Sequence, residues 1–409
     1  MATIILGAQW GNEGKHKLAE KLVNEGRFQL CARAAGGHDA VHSKTTDGVD
    51  LVSHLLPSGL MNPTCMNLIG SGVVLHIPTF FKELETFEAR SIPSVQERIL
   101  ISDRCQIDLD LYAAVRALET PDSFIPWQHD STATMRNGIR LYEIFDQEAF
   151  ETKLRKLANL YGERFGHALQ YDPEGEIQRF REYRPKLAGF CVDAVHLVQN
   201  MQDFNTKFLV EGHSALMFDM NYGAFPYVIS SNTSLGGIFT GLAIHPKKID
   251  QIIGVAEAYT TRLDGGIFKT EDHSDIGIDM QTIGQEWDTS TGRKRRCGWI
   301  DLVALKYSTA VNHYTCLNLS KLDILDKFPV IKLAIAYKDP ETGDQIENYP
   351  ADPSILERCE VVYHEMKGWQ QPIKGINTFE SLPQQAQAYV KFIEEHCGVS
   401  IARIGTGPN

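Results

Sequence analysis

The sequence predicts one continuous α/β domain built on an open sheet, with inserted helical and small β pieces. Three observations carry that expectation. The chain opens with a short apolar run at 3–7, a turn containing Gly7, Gly11 and Gly14, and then Leu18, Leu22 and Val23 at helical spacing over 15–25. Strand, glycine-rich turn, helix is how an open α/β sheet begins. Further short apolar runs and segments of helical period follow along the chain. The 409 residues are 43% hydrophobic and 22% charged, which is enough apolar material for a large core and excludes a disordered chain.

The elements follow in order. Strand-length apolar runs lie at 68–75, 98–102, 207–210, 251–255 and 330–336. Helical spacing covers 79–89, 109–118, 147–161, 177–200, 302–311 and 384–396. Residues 119–127 (ETPDSFIPW) hold two prolines and read as a loop. No repeat, low-complexity tract or linker divides the chain.

Charge and cysteine usage narrow the function classes. The formal charge of −12 argues against a broad nucleic-acid surface, but a local basic cluster still suits an anionic nucleotide. Eight cysteines form no CxxC and no zinc spacing, so reduced thiols in the cytoplasm are expected. The N-terminus lacks a basic leader region, and no apolar stretch approaches the length of a membrane span.

Three clusters carry candidate chemistry. The first is Gly7-Ala8-Gln9-Trp10-Gly11-Asn12-Glu13-Gly14-Lys15-His16-Lys17. It is close to a phosphate-binding loop, but Gln9 stands where a first glycine belongs and His16 where Ser or Thr belongs. A plain strand-to-helix turn with solvated lysines is the other reading. The second is Gly36-Gly37-His38-Asp39-Ala40-Val41-His42, where His42 suits a general acid and Asp39 a polar substrate contact. A surface loop is its bland alternative. The third is Thr289-Ser290-Thr291-Gly292-Arg293-Lys294-Arg295-Arg296, a hydroxyl-rich turn before four consecutive cations. Guanidinium forks bind carboxylates and phosphates there, or the run is a solvated basic loop. Lys321-Leu322-Asp323 has the Lys–x–Asp form that reads a guanine base, and Gly405-Thr406-Gly407-Pro408 is a turn.

In combination these clusters resemble the adenylosuccinate synthetase family, and most of all its eukaryotic, especially fungal, members. The resemblance runs nearly end to end through GAQWGNEGKHK, GGHDAVHS, HLLPSGL, IGSGVV, EGHSALMFDMNYGAFPYVISSNTS, AYTTRL, TGRKRRCGWIDLVALKY, SKLDILD and GTGP. It implies a large, mostly parallel central sheet flanked by helices, with a P-loop-like GTP-binding fold. It also implies GTP and Mg²⁺, small-molecule substrates, and a homodimer with one contact across the interface, for which Arg136 is the candidate. The implied reaction joins L-aspartate to IMP: the 6-oxygen attacks the γ-phosphate, and the aspartate amine displaces the phosphoryl group.

The resemblance assigns residues as follows. The catalytic set is Asn12, Lys15, His16 and His42. GTP falls to Gly11, Glu13, Gly14, Lys15, His16, Lys17, Val41, His42, Ser43, Lys321, Asp323, Gly405 and Gly407. Aspartate falls to Thr289, Ser290, Thr291, Gly292, Arg293 and Arg295. The acceptor falls to Asp39, Thr132, Arg136, His213, Ser214, Thr233, Ser234 and Arg262, and the metal to Asn12 and Val41.

Departures from the family pattern concentrate at the acceptor. Its GDEGKGK loop has a general-base Asp where this chain has Asn12, and a neutral amide cannot take a proton. His16 replaces a glycine, Asp39 replaces an Asn that contacts phosphate, and His213-Ser214 replace the residues that include its base-reading amide. Residues 131–136 are a shortened phosphate loop, and the family's TRVG turn reads Arg262-Leu263-Asp264. The expectation drawn from this set is an acceptor other than IMP. A carboxylate, already an anion at pH 7, would need no base and would give an amide. His16 and His213 are candidates to recognise that acceptor or to stand in for the base. An ordinary adenylosuccinate synthetase and a GTP-binding pseudoenzyme are the competing readings.

Overall fold

The structure is a computed structural model describing residues 1–26, 28–37, 42–46, 49–53, 55–90, 92–119, 137–288 and 292–407. Its centre is an eleven-stranded sheet. In spatial order the main path runs Ile401–Ile404, Cys316–Ser320, Ile249–Glu257, Ala2–Gly7, Phe208–Ala215, Leu30–Gly36, Met66–His76, Ile99–Ser102 and Cys191–Val192. Every pairing on that path is parallel. Among the described residues only Ile139–Arg140 joins this sheet antiparallel, against Gln106–Asp108. The opening strand sits in the middle, with all six residues buried, because helices cover both faces of a parallel sheet.

The sequence expectations meet the structure at most elements. Lys15–Gly26 is the first helix and buries Leu18, Ala19, Leu22 and Val23. The single helix expected over 177–200 is two helices, Pro173–Leu187 and Ala194–Asp203. Between them Cys191–Val192 pairs with Ile99–Ser102, and Asp193 caps the second helix by accepting from His196 N at 3.1 Å. The cap and the strand pairing interrupt what apolar spacing alone reads as continuous. Residues 120–136, which include most of the expected loop, lie outside the described residues.

Smaller sheets sit beside the main one. Val330–Lys338 pairs antiparallel with Glu360–Lys367 and with Gln345–Ile346. Thr260–Arg262 pairs antiparallel with Arg296–Gly298, and His42–Thr46 with Val49–Ser53. A separate apolar core, which includes Phe80, Tyr112 and Phe150, is built from described residues between 55 and 190. The carboxyl ends of the central strands all open on one edge, where ligands bind in open α/β sheets. Gly7, Gly36, His213, Glu257 and Ser320 lie there.

Candidate active site

The glycine-rich loop is shaped from within by Glu13. This carboxylate is fully buried and accepts backbone N–H bonds from Gln9 at 3.0 Å and Gly11 at 2.9 Å. Its other oxygen lies 3.0 Å from Lys15 Nζ. Two of the backbone donors expected to face a phosphate are therefore already spent on an internal anion. The donors left for a ligand are those nearer the start of the first helix, where the helix dipole also favours negative charge.

Gln9 explains the departure from a standard phosphate loop. Its side chain accepts from Glu257 N at 2.8 Å and donates to the carbonyls of Glu257 and Tyr259 at 3.3 and 3.4 Å. A glycine there could not tie the loop to the neighbouring strand. Ser320 adds a second tie, donating to Glu13 O at 2.9 Å. Asn12 then sits at the exposed tip with φ 65, a left-handed conformation that Asn tolerates better than most residues.

Below the tip lies a buried acidic pair that the sequence reading did not single out. Glu257 and Glu286 are each 1% exposed, and both contact Lys321 Nζ, at 2.6 and 2.5 Å. Tyr259 Oη also donates to Glu286, and Asn12 Nδ2 donates to Glu286 Oε2 at 3.4 Å. Burial and the charge of Glu286 push the Glu257 carboxyl up, against the pull of Lys321. Burial works against the Lys321 ammonium, but the two carboxylates overcome it and hold its pKa above the ordinary range. Lys321 thus joins the loop to the turn that carries Asp323. A signal was available in the sequence: Glu257 ends the apolar run IIGVAE as a lone acid at a strand's carboxyl end.

The guanine candidates converge. Leu322 N donates to Gly405 O, and Gly405 N to Leu319 O, so the Lys321–Asp323 turn and the Gly405–Gly407 turn are neighbours. Burial raises the Asp323 carboxyl, opposed by its own backbone and by the cation of Lys374. Lys374 was not anticipated from the sequence.

The acceptor candidates divide. His213 is half-buried, its Nδ1 has no hydrogen-bond partner among the described residues, and its ring lies against Gly36. Burial, then the cations Arg33 and Lys15, push its imidazole down to about 3, so it is neutral at pH 7. A neutral ring is a hydrogen-bonding group there and too weak a base to replace a carboxylate. Ser214 follows at φ 50. Thr233 and Ser234 are buried, and their N–H groups both donate to Asp219 Oδ2, at 2.7 and 2.9 Å.

Arg262, expected at the acceptor, lies inside the fold. It is 0% exposed, held by Asp264 at 2.7 Å and by Ile267 O, with its guanidinium 5.3 Å over Trp10. Its charge is paired inside the protein.

At the basic turn, Arg293 and Lys294 are exposed and Arg295 is half-buried beside Asp288. Arg296 is structural, bonded to Glu271 and to the carbonyls of Asp264 and Gly266. Asp39, Val41, Thr132, Arg136, Thr289, Ser290 and Thr291 lie outside the described residues, and His42 and Ser43 are described by backbone only.

The comparisons with known proteins give this arrangement a family. The chain matches the Adenylosuccinate synthetase family over residues 4–409. It is 58% identical to the adenylosuccinate synthetase of Sordaria macrospora over 418 residues, covering 100% of this chain and 96% of that one. It is 56% identical to that of Pyricularia oryzae, covering 100% and 98%. The chain belongs to the adenylosuccinate synthetase family. A solved structure of fully ligated adenylosuccinate synthetase from Plasmodium falciparum superposes with a TM-score of 0.91 at 33% identity, covering 100% of this chain and 97% of that one. The fold also extends to a cyanophage S-2L succinoaminodeoxyadenylate synthetase, at a TM-score of 0.59 and 16% identity.

Membership makes the chain a GTP-dependent ligase that forms a carbon–nitrogen bond and uses Mg²⁺. Among the described residues no group of three or more His, Cys, Asp or Glu is arranged to hold a metal. Asn12 still fits as a minor ligand. Its amide nitrogen faces Glu286, so its oxygen is not used in that contact. Magnesium commonly takes one or two protein oxygens and completes its shell with phosphates and water. No helix among the described residues is long and apolar enough to cross a membrane.

Proposed function

We propose that this chain joins L-aspartate to IMP at the expense of GTP. The observation that carries the reading is the match of the entire chain, at 56–58% identity, to proteins named adenylosuccinate synthetase. The sequence pattern at the acceptor favoured another substrate; the relatives weigh towards IMP.

The residues supply the chemistry as follows. Lys15, beside Glu13 at the start of the first helix, neutralises charge on the phosphoryl group in transit. The Asn12 side-chain oxygen would hold Mg²⁺, which would supply screening of the phosphate charge. Asp323, with the Gly405 and Gly407 turn, reads the guanine edge. His42 protonates at the acceptor side. Arg293 and Arg295 hold the carboxylates of the amine donor. Asn12, a neutral amide, cannot take the acceptor's ring N–H proton, which passes to water, so the lactam reacts slowly. The reading includes a homodimer in the cytoplasm.

A second reading is an acceptor that needs no base, such as a small carboxylate. Asn12 in place of a carboxylate and the neutral His213 favour it. One experiment separates the two: phosphate release from GTP with Mg²⁺ and L-aspartate, adding IMP or a panel of small carboxylates, with products identified by mass. A succinylated nucleotide formed only with IMP supports the first reading. An aspartyl amide formed only with a carboxylate replaces it with the second.

A further inference from the structure

The amine-donor subsite contains a carboxylate of the chain's own. Asp288 is 5% exposed, and its Oδ2 lies 3.4 Å from Nη2 of Arg295. The backbone builds this pair. Asp288 N donates to Arg293 O, Gly292 N donates to Asp288 O, and Arg295 N donates to Glu286 O, each at 2.8 Å. Gly292, at φ 68, closes the turn, so positions 288 and 295 stand on facing limbs. Arg295 Nε is buried and has no hydrogen-bond partner among the described residues. The guanidinium charge is shared with Asp288 before any donor arrives. A guanidinium keeps its charge at any working pH, so two carboxylates competing for it exclude each other or share it at a cost.

We propose that Asp288 is a specificity-determining residue of the donor subsite: its carboxylate competes with a donor carboxylate for Arg295 and so reduces the preference for a dicarboxylic amine over a monocarboxylic one. This rests on the reading that Arg293 and Arg295 hold the donor. Lys294 is exposed on the same turn and does not replace Arg295. The effect is one of charge, so it is larger for aspartate, with two carboxylates, than for asparagine, with one.

Calorimetric titration of the full chain with L-aspartate and with L-asparagine, in the presence of Mg²⁺, GDP and IMP, tests it. In Asp288→Asn the aspartate Kd falls by about 10-fold, and the asparagine Kd changes by much less. Asp288→Ser, which also removes the charge, behaves the same way if the asparagine variant folds poorly. Unchanged aspartate binding in a folded variant overturns the proposal alone. Weaker aspartate binding in both variants makes Asp288 a support for Arg295 and also overturns it. No aspartate heat in wild type or variants overturns it together with the donor assignment beneath it.

Discussion

Asn12 Nδ2 donates to Glu286 Oε2 at 3.4 Å, and the same Glu286 carboxylate holds Lys321 at 2.5 Å. A carboxylate accepts only from the NH₂ end of an amide, so this bond sets the orientation of the Asn12 amide against Glu286. It also links the loop tip to the turn carrying Asp323. In Glu286→Gln the link loosens, and Lys321 keeps only Glu257. Loss of about 1–3 kcal/mol of stability is expected from the weakened buried pair. The KM for GTP is expected to rise more than that for aspartate. Denaturant unfolding and separate KM measurements check both.

Restoring a carboxylate at the tip tests the account of the missing base. In Asn12→Asp, turnover with IMP is expected to rise by about 10²–10⁴-fold, the usual worth of a positioned general base. The new charge faces the Glu257–Glu286 pair, so some stability is lost alongside. Steady-state kcat with IMP is the measurement. A flat response would mean that proton removal does not limit the reaction.

The pH dependence of stability follows from Glu257. Burial and Glu286 raise its carboxyl from the ordinary 4.5 to about 7. The folded chain then holds a proton that the unfolded chain has released, so this group's contribution is complete below pH 4.5. It is lost as pH rises through 7. The unfolding free energy of wild type minus that of Glu257→Gln is expected to fall across that window. Chemical denaturation at several pH values reads the difference directly; a rise would contradict the assignment.

Gly36 and His213 share one small space. A Cβ on Gly36 would lie 2.2 Å from His213 Nδ1, and Gly36 sits at φ 96. Gly36→Ala is expected to cost more than 1 kcal/mol, from both the clash and the backbone. His213→Ala removes the clash but not the backbone cost. The double variant should therefore recover part, not all, of the loss. Unfolding of the four proteins in the cycle tests this coupling.

Much of the scaffold was legible in the sequence because buried parallel strands are short continuous apolar runs and their helices carry one apolar stripe. The first strand, the glycine turn and the Lys15–Gly26 helix are the clearest case. The break at Cys191–Val192 was not legible, since only its partner Ile99–Ser102 makes it a strand. The linear motifs located Lys15, Lys321 and the basic turn. They could not reveal that Glu286 lies under Asn12, that Asp288 faces Arg295, or that Arg262 is consumed by Asp264. Each of those depends on which backbones the fold brings together.

The most direct test of the central claim follows one oxygen atom. IMP labelled with heavy oxygen at its 6-position is incubated with the protein, GTP, Mg²⁺ and L-aspartate, and the released phosphate is weighed by mass spectrometry. Transfer of the γ-phosphoryl group to IMP, followed by displacement by the aspartate amine, carries the label into the phosphate. Phosphate released without the label would show that IMP is not the phosphoryl acceptor in this protein.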